Sequence, residues 1–258
     1  MKETTAFGDA ELVPDPTHPG GWTLLIAGVA QSYVDIGDPR RLRYPYVRRV
    51  AAVIDTMARP GASIRVLHLG GGGLTLARYV AVTRPGSRQR VVERDGELDA
   101  LVRRVLPLPA GADVSTVAGD ARTIVSSMAD ALFDLVITDA YEGAQMPAEL
   151  ASVEFVREVR RILAPSGTCA VNVADLPAAI FTRMQTATLR SVFADVCAIG
   201  EPNMLRGRRY GNIVLAAGAS LPVARLARIV GRDEARARVL HGSELDDFIG
   251  GVGPMQDA

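Results

Sequence analysis

Four consecutive glycines, Gly70-Gly71-Gly72-Gly73, follow the apolar stretch 64–69 and form the first group of residues that could do chemistry. Glycines at the end of a buried strand let the chain turn tightly and let a ligand lie against bare backbone. A helix that begins after them presents free N–H groups to such a ligand. Glu93 ends the next apolar stretch, and a carboxylate roughly 20 residues beyond such a turn can accept hydrogen bonds from ribose hydroxyls. The glycines and Glu93 therefore predict an adenosine-type ligand.

Two further acidic residues end predicted strands. Asp120 follows Gly119 after the stretch 114–118, where it can either contact the ligand or cap the next helix. Asp139 ends the apolar stretch 133–139, and an acid directly after such a stretch is unfavourable unless it is hydrated or paired. Asp139 is therefore the candidate for chemistry. Purely structural roles stay open for Glu93, Asp120 and Asp139, as a surface side chain or as helix caps.

Alternating strands and helices must position these residues. From residue 63 onward, short apolar stretches alternate with segments in which apolar residues recur every three or four positions. The predicted strands are 64–69, 88–93, 114–118, 133–139 and 168–173, and the predicted helices are 74–82, 96–106, 120–129, 152–163 and 178–193. This alternation predicts an α/β fold with an open parallel sheet covered by helices on both faces. Ligands in such sheets bind at the carboxyl ends of the strands.

The segments before and after this pattern lack its regular alternation of strands and helices. Residues 22–28 predict a strand that is followed by a turn or a partner strand near 30–36. Asp38-Pro39 predicts the start of a helix that runs from Arg40 to Met57. Late stretches at 196–200 and 212–217 predict an antiparallel hairpin, and Pro165-Ser166-Gly167 predicts the end of the preceding helix. We therefore predict a β-region with a linking helix at 1–62, a nucleoside-binding sheet domain at 63–220 and a helical tail at 221–258.

The composition argues against several classes of protein. The 29 basic and 29 acidic residues give a formal net charge of zero, which removes any broad electrostatic reason to expect nucleic acid or an anionic membrane as partner. Two cysteines are too few for a disulfide scaffold or a cysteine-rich zinc site. No uncharged apolar run reaches the ~20 residues of a membrane helix, and residues 1–9 lack a signal-peptide core. We expect a cytoplasmic protein without a metal site at His18, His68 or His241, and His68 should be a packed core residue.

The order of these motifs resembles that of the spermidine/spermine synthase family of aminopropyltransferases, especially its short actinobacterial spermidine-synthase-like members. The resemblance covers residues 22–217 and rests on Gly28-Val29-Ala30-Gln31-Ser32, the glycine run with Arg78, Val92-Glu93-Arg94-Asp95, Gly119-Asp120 and the stretch 134–139. It implies a Rossmann-like sheet of the class I S-adenosylmethionine-dependent methyltransferase type behind a small N-terminal β-region. It also implies a homodimer that moves an aminopropyl group from decarboxylated S-adenosylmethionine to a small amine, with no metal.

The resemblance further implies roles for single residues. Gln31 would contact the nucleoside or the sulfonium end, Glu93 the ribose, and Asp120 with Ala121 the adenine. Asp139 would handle the attacking amine. Because a carboxylate is a much weaker base than an amine, Asp139 is expected to orient the amine and to receive its proton as the new C–N bond forms. The candidates for contact with the acceptor are Tyr46, Tyr141 and Glu142.

Three departures from the family pattern concern the acceptor. Tyr44-Pro45-Tyr46 stands where the family has a Tyr-His-Glu-like stretch, and Gly73 stands where its glycine loop carries an aspartate that grips a diamine. Glu142-Gly143 replaces an aspartate–proline pair. We therefore expect an intact nucleoside half, an altered diamine half and poor activity on putrescine. Two alternatives stay open: a methyltransferase that uses S-adenosylmethionine on the same fold, and a non-catalytic nucleoside-binding relative.

Overall fold

The computed structural model describes residues 1–143 and 145–257. Its strands are β1 (Lys2–Thr5), β2 (Gly8–Pro14), β3 (Gly21–Ile26), β4 (Val29–Asp35), β5 (Arg65–Leu69), β6 (Arg88–Glu93), β7 (Asp113–Ala118), β8 (Phe133–Thr138), β9 (Leu163–Asp175), β10 (Asp195–Gly200), β11 (Gly211–Gly218) and β12 (Arg238–Leu240). Its helices are α1 (Pro45–Met57), α2 (Thr75–Thr83), α3 (Gly96–Val105), α4 (Ala121–Ser127), α5 (Val153–Ile162), α6 (Ile180–Arg190), α7 (Pro202–Leu205), α8 (Val223–Val230) and α9 (Ser243–Ile249). Residue 258 of the predicted tail lies outside the described residues.

A large sheet and a small sheet organise these elements. The small sheet is antiparallel, in the order β1-β2-β3-β4, and the large one has the order β12-β10-β11-β9-β8-β5-β6-β7. Strands β9, β8, β5, β6 and β7 run parallel. Beyond β9, the pairs β9–β11, β11–β10 and β10–β12 are each antiparallel. The predicted α/β fold is confirmed, and so is the predicted hairpin of β10 and β11. The crevice between β5 and β8 is the point where the strand order reverses, which is where such sheets bind ligands.

The apolar residues of the central strands are buried on both faces, as a sheet with helices on both sides requires. Leu135 and Ile137 of β8 pack in one core cluster with α1, and Val136 between them packs in another cluster with α5. His68 of β5 is buried, and its Nε2 lies 2.9 Å from Oε1 of Gln89. The expectation of a packed core histidine is therefore confirmed. Within the described ranges, no helix combines the length and apolarity that crossing a bilayer needs.

The N-terminal region differs from its prediction in two ways. The helix expected from Arg40 begins only at Pro45, because the carboxylate of Asp35 holds the chain in a turn first. Its Oδ1 accepts hydrogen bonds of 2.9 Å from the backbone N–H groups of both Gly37 and Asp38. Strands β1 and β2 were not predicted, because they form a short, largely polar hairpin at a sheet edge that lacks a long apolar stretch.

The C-terminal half also corrects two expectations. Helix α5 ends at Ile162, and the chain continues directly into β9, so Pro165-Ser166-Gly167 lies in an extended strand and does not end the helix. The register between β8 and β9 shifts between Phe133 and Leu135, which accommodates this start of the strand. The tail contains two helices, α8 and α9, but also β12, whose three residues are too few to show a pattern.

Candidate active site

One cavity of about 590 Å³ lies at the carboxyl ends of the central strands, beneath the small sheet. Every residue predicted for the site lines it: Gln31, Tyr46, Gly70, Gly71, Gly72, Glu93, Asp120, Ala121, Asp139, Tyr141 and Glu142. A second cavity of about 30 Å³ lies beside it, and Tyr46, Gly70 and Asp139 are among the residues that line both. Glu93 and Asp139 therefore open onto the same space, which a nucleoside joined to a reacting group requires.

The glycine turn touches the segment that carries Asp139. Gly70 has φ +95°, and a Cβ atom built on it would lie 2.3 Å from the backbone oxygen of Asp139. The N–H of Asp139 in turn donates to the carbonyl of Leu69 at 2.9 Å. Only glycine permits this approach, because any side chain at position 70 would meet backbone atoms that cannot move aside. The turn and Asp139 are thus held in a fixed relation by direct contact.

Strand β4 of the small sheet packs against the other end of the turn. The hydroxyl of Ser32 accepts a hydrogen bond of 3.1 Å from the N–H of Gly73. A Cβ atom at Gly73 would lie 2.9 Å from Cβ of Ser32 and 2.9 Å from Cγ2 of Val34. A larger residue at position 73 would therefore require Ser32 or Val34 to shift.

Glu93 organises the glycine turn in addition to facing the cavity. Its Oε2 accepts hydrogen bonds from the N–H groups of Gly71 at 2.8 Å and Gly72 at 3.3 Å, and its Oε1 accepts one from Asp95 at 3.0 Å. An ionised carboxylate offers about four acceptor positions. Little capacity is therefore left for the two ribose hydroxyls that the sequence assigns to Glu93.

Asp95 supplies an acceptor next to Glu93. Its side chain is 1% exposed and lines the cavity. Its Oδ1 caps α3 by accepting from the N–H of Leu98 at 2.9 Å, while its Oδ2 is buried with no hydrogen-bond partner among the described residues. Buried carboxylate oxygens are rarely left without a partner. In the sequence analysis, Asp95 ends one of the family motifs but has no predicted role. Its position two residues after Glu93 could have indicated that it lies at the same site.

Asp120 and Ala121 stand where α4 begins. The Asp120 carboxylate accepts a hydrogen bond of 2.8 Å from the N–H of Thr123, and this backbone bond lowers the pKa of Asp120. Asp120 therefore caps the helix, and it also lines the cavity with Ala121. The structural and the ligand-binding interpretations of Asp120 are compatible.

Asp139 is half-buried, and two asparagines that the sequence analysis missed support it. Asn172 of β9, which is 1% exposed, donates to Oδ1 of Asp139 at 2.8 Å, and Asn212 of β11 donates to Oδ1 of Asn172 at 3.2 Å. Burial raises the pKa of Asp139, while hydrogen bonds from Asn172 and Tyr46 oppose that rise. The sequence signal for Asn172 was a single amide inside an otherwise apolar strand.

Two tyrosines flank Asp139 and remain uncharged. The Tyr141 hydroxyl donates to the carbonyl of Asn172 and accepts from the N–H of Ala174, each at 2.8 Å, and so ties the segment after β8 to β9. The Tyr46 ring stacks on Tyr44 with centroids 6.2 Å apart. Burial, and next the charge of Asp139, raise the pKa of Tyr46 well above its usual value.

Glu142 is paired across the cavity. Its carboxylate lies 2.5 Å from the guanidinium of Arg94, which follows β6, and Arg94 also lies over the ring of Phe7 at 5.5 Å. Because Arg94 follows β6, Glu142 is paired on the β6 side of the crevice and its charge is balanced. Asp139, by contrast, has no cationic partner among the described residues.

The site can therefore hold a polar ribose-like group over β5 and β6 and a protonated amine at Asp139. Within residues 1–143 and 145–257, there is no cluster of three or more His, Cys, Asp or Glu side chains that could hold a metal ion. Glu93, Asp95 and Asp120 bind backbone N–H groups, and Glu142 is paired with Arg94. Asp139 faces the cavity without a cationic partner among the described residues. This arrangement suits attack by an amine on an activated carbon.

Comparisons with known proteins agree with this architecture. No protein-family model matches the chain. A polyamine aminopropyltransferase of Vibrio vulnificus is 26% identical over 185 residues, which are 71% of this chain and 59% of that protein. The chain thus spans under two thirds of this curated relative.

Two solved structures extend the comparison. A probable spermidine synthase from Corynebacterium glutamicum is 31% identical, with a TM-score of 0.92 over 100% of this chain and 96% of that one. Human methyltransferase-like protein 13, solved with SAH, is 16% identical, with a TM-score of 0.58 over 84% of this chain and 97% of that one. The second likeness concerns the fold alone.

Proposed function

Because this chain belongs to the spermidine synthase family, we propose that it transfers an aminopropyl group from an S-adenosyl sulfonium donor to an amine acceptor. The observation that carries the proposal is the single cavity that joins the glycine turn and Glu93 to Asp139. A nucleoside on one side and a reacting amine on the other then share one space. The same family resemblance leads us to propose a cytoplasmic homodimer.

The donor half is formed by the turn and by the acids that follow β6 and β7. The turn residues Gly70 to Gly72, which precede α2, line the cavity. The remaining acceptor position of Glu93 and the buried Oδ2 of Asp95 are the acceptors for ribose hydroxyls. Asp120 and Ala121 border the adenine, and Gln31 reaches in from β4 toward the sulfonium end. Arg94, paired with Glu142, covers this half from the outside.

The acceptor half orients the amine and receives its proton. An alkylammonium group has a pKa near ~10, so at pH 7 only about one molecule in a thousand is free base, which costs roughly 4 kcal/mol. The amine nitrogen attacks the carbon bonded to the sulfonium sulfur, the C–S electron pair returns to sulfur, and methylthioadenosine leaves. Asp139, held by Asn172, takes the proton that the nitrogen releases. Holding the two reactants in line can contribute ~7–11 kcal/mol to lowering the barrier.

The diamine half is altered, which supports weak activity on putrescine. Gly73 supplies no carboxylate, and Tyr44-Pro45-Tyr46 supplies neutral phenols where the family pattern has a histidine and an acid. Glu142, the other acid expected near the amine, is neutralised by Arg94. A second ammonium group beside Tyr46 would therefore be desolvated without a free carboxylate partner, which is unfavourable.

Methyl transfer from intact S-adenosylmethionine is less well supported. The carboxylate of that donor would need a cation or a free N–H group near the glycine turn. The N–H groups of Gly71 and Gly72 already donate to Glu93, and that of Gly73 donates to Ser32. Arg78 is the nearest candidate in sequence, but it is 1% exposed and donates to the carbonyls of Gly73, Leu106 and Pro107. Its guanidinium is thus committed to the backbone below the turn. A non-catalytic role is disfavoured because Asp139 lies half-buried at an open cavity. Burial makes its charge unfavourable, and a purely structural role gives no reason for placing an acid there.

Calorimetric titration with decarboxylated S-adenosylmethionine, S-adenosylmethionine and methylthioadenosine tests the donor assignment. We expect the decarboxylated donor to bind about tenfold or more tightly than the intact one. Incubation with a panel of amines, followed by mass spectrometry, should show aminopropylated products and methylthioadenosine. Methylated products, or tighter binding of the intact donor, would instead establish the methyltransferase alternative.

A further inference from the structure

The order of the strands divides the cavity into two halves with different charge. The glycine turn, Glu93 and Asp120 follow β5, β6 and β7, on one side of β8. Asn172, Ala174 and Asn212 belong to β9 and β11, on the other side. If the donor occupies the first half, as proposed above, the acceptor must extend from Asp139 over the second half or into the small cavity.

The wall over β9 and β11 is uncharged. The side chains that line it are Tyr141, Asn172, Ala174, Tyr210 and Asn212. The hydroxyl of Tyr141 and the amide of Asn172 are already hydrogen-bonded to protein groups. No carboxylate on this wall lines the cavity beyond Asp139, within the described part of the chain.

The chain segment that leads into Tyr210 is basic. Arg206, Arg208 and Arg209 of this segment are exposed, and although only Tyr210 itself lines the cavity, we take the segment as the rim beyond the wall. Glu201 is the acid beside them, and it is shared between Arg209 at 3.2 Å and the buried Arg49 at 3.1 Å. A second ammonium group at this rim would therefore meet like charges, which disfavours it.

The small cavity offers no place for a cation either. Besides Asp139, it is lined by aromatic and apolar side chains, by the neutral hydroxyl groups of Ser32 and Thr75, and by His68. Burial lowers the pKa of His68 to about 4. The imidazole is thus neutral at pH 7. A volume of about 30 Å³ admits little more than one water-sized group. An ammonium group placed there would lose its hydration without gaining a second carboxylate.

Two acids lie close behind this cavity, but both are already neutralised. Asp15 accepts from the hydroxyl of Tyr33 at 3.0 Å and lies 3.1 Å from Arg43. Asp35 lies 2.6 Å from His18 and 3.1 Å from Arg41. Neither side chain lines the cavity. On the wall over β9 and β11 and in the small cavity, the described residues therefore offer the acceptor no unpaired carboxylate besides Asp139.

We propose that the acceptor is a monoamine: a single ammonium group is held at Asp139, and the rest of the molecule is uncharged and lies against Tyr210 and Asn212. This inference rests on the proposed aminopropyl transfer and goes further, because it names the class of acceptor. A hydroxyl or methyl group replaces the second ammonium of a diamine. Asp139 then serves the one nitrogen that becomes alkylated.

Three amines of similar length and different terminal groups test the proposal: putrescine, 4-aminobutan-1-ol and pentylamine. With decarboxylated S-adenosylmethionine at saturation, kcat/KM for the two singly charged amines should exceed that for putrescine by about tenfold or more. An equal or higher value for putrescine would overturn the inference while leaving aminopropyl transfer intact. Absence of product with every amine would instead overturn the proposed function. In that case, calorimetric titration of the same amines into the methylthioadenosine-bound protein still ranks the terminal groups.

A matched pair of variants locates the uncharged part of the acceptor. Tyr210→Asp places a carboxylate at the rim, and Tyr210→Asn removes the same ring without adding charge. Because Tyr210 is 52% exposed, neither change should prevent folding. The ratio of kcat/KM for putrescine to that for 4-aminobutan-1-ol should be about threefold or more higher in Tyr210→Asp than in Tyr210→Asn. Equal ratios in the two variants would show that the acceptor does not pass this residue.

Discussion

The side-chain amide of Asn172 donates a hydrogen bond of 2.8 Å to Oδ1 of Asp139. This bond comes from a neighbouring strand and occupies Oδ1, and a second hydrogen bond, from Tyr46, also stabilises the carboxylate. The bond from Asn172 also fixes which way the carboxylate points, because Asn172 is itself held by Asn212 at 3.2 Å. The orientation of Asp139 therefore depends on the central strands rather than on the loop that follows it.

Replacing Asp139 with asparagine should slow the reaction without abolishing donor binding. We expect the rate of methylthioadenosine release to fall by about 10²–10⁴-fold, the usual contribution of a positioned proton acceptor. The Kd for the donor, measured by calorimetry, should stay within about threefold. Asp134→Asn is the matched control, because Asp134 lies on the same strand but pairs with Arg65 at 2.6 Å, away from the cavity. Equal slowing in both variants would contradict the role of Asp139.

The same Asp139→Asn change should stabilise the protein at neutral pH. Burial raises the pKa of Asp139, so its ionised form is disfavoured in the folded state relative to the unfolded state. The carboxyl group opposes folding once the pH rises through its folded-state pKa, and this effect vanishes below the unfolded value near ~3.9. Urea unfolding should show a more stable variant at pH 7, with the gain shrinking as the pH falls toward 4. A gain that is the same at both pH values would rule out this explanation.

Asn172→Ala should change the pH dependence of the reaction. The hydrogen bond from Asn172 lowers the pKa of Asp139, so its loss should raise that pKa. The acidic limb of the profile of kcat/KM against pH should move upward by about one unit. Asn203→Ala, which alters an exposed asparagine outside the cavity, should leave the profile in place. A lower rate with an unmoved limb would indicate a merely structural role for Asn172.

Gly73→Asp should destabilise the protein rather than restore a diamine site. The new Cβ would lie 2.9 Å from both Ser32 and Val34, and such overpacking typically costs about 1–3 kcal/mol. For a chain of this size the melting temperature should fall by roughly 2–10 °C. Gly253→Asp is the control, because a Cβ there meets no atom within 4 Å. A stable Gly73→Asp variant that prefers putrescine would show that β4 can move aside.

His68 should make the folded protein sensitive to mild acid. Burial lowers its pKa to about 4, so the unfolded chain binds a proton that the folded protein does not. The stability associated with the neutral imidazole is present above pH ~6.5 and is lost as the pH falls toward 4, by up to ~3 kcal/mol. His68→Leu should flatten this part of the curve of unfolding free energy against pH. Gln89→Leu removes the same hydrogen bond but keeps the imidazole, so it should retain the slope.

The alternation of elements and the acids at strand ends could be predicted because both follow from local pattern. A strand followed by an acid places that acid at the carboxyl edge of a parallel sheet, and for this reason Glu93 and Asp139 were expected on one side. The start of α1 could not be predicted, because it depends on the Asp35 carboxylate holding residues 37 and 38 from an adjoining strand.

The supporting residues of the site were missed for a related reason. Asn172 and Asn212 lie on strands that adjoin only in the folded sheet, and a single asparagine carries no spacing pattern. The pairing of Glu142 with Arg94 joins residues 48 positions apart, so sequence alone left Glu142 as a free acid. The contact of Ser32 with Gly73 likewise crosses between two sheets. Each of these features depends on tertiary contacts that local periodicity does not encode.

The contact between Gly70 and the backbone of Asp139 has a consequence for how the preference for acceptors can diverge among related chains. Because the residues that follow β5 and β8 are in contact there, the distance between the bound nucleoside and Asp139 is fixed before either reactant binds. No hinge is available at that point to lengthen or shorten it. Related chains would then change their acceptor by substituting single side chains on the wall over β9 and β11, while the distance from the glycine turn to Asp139 stays the same.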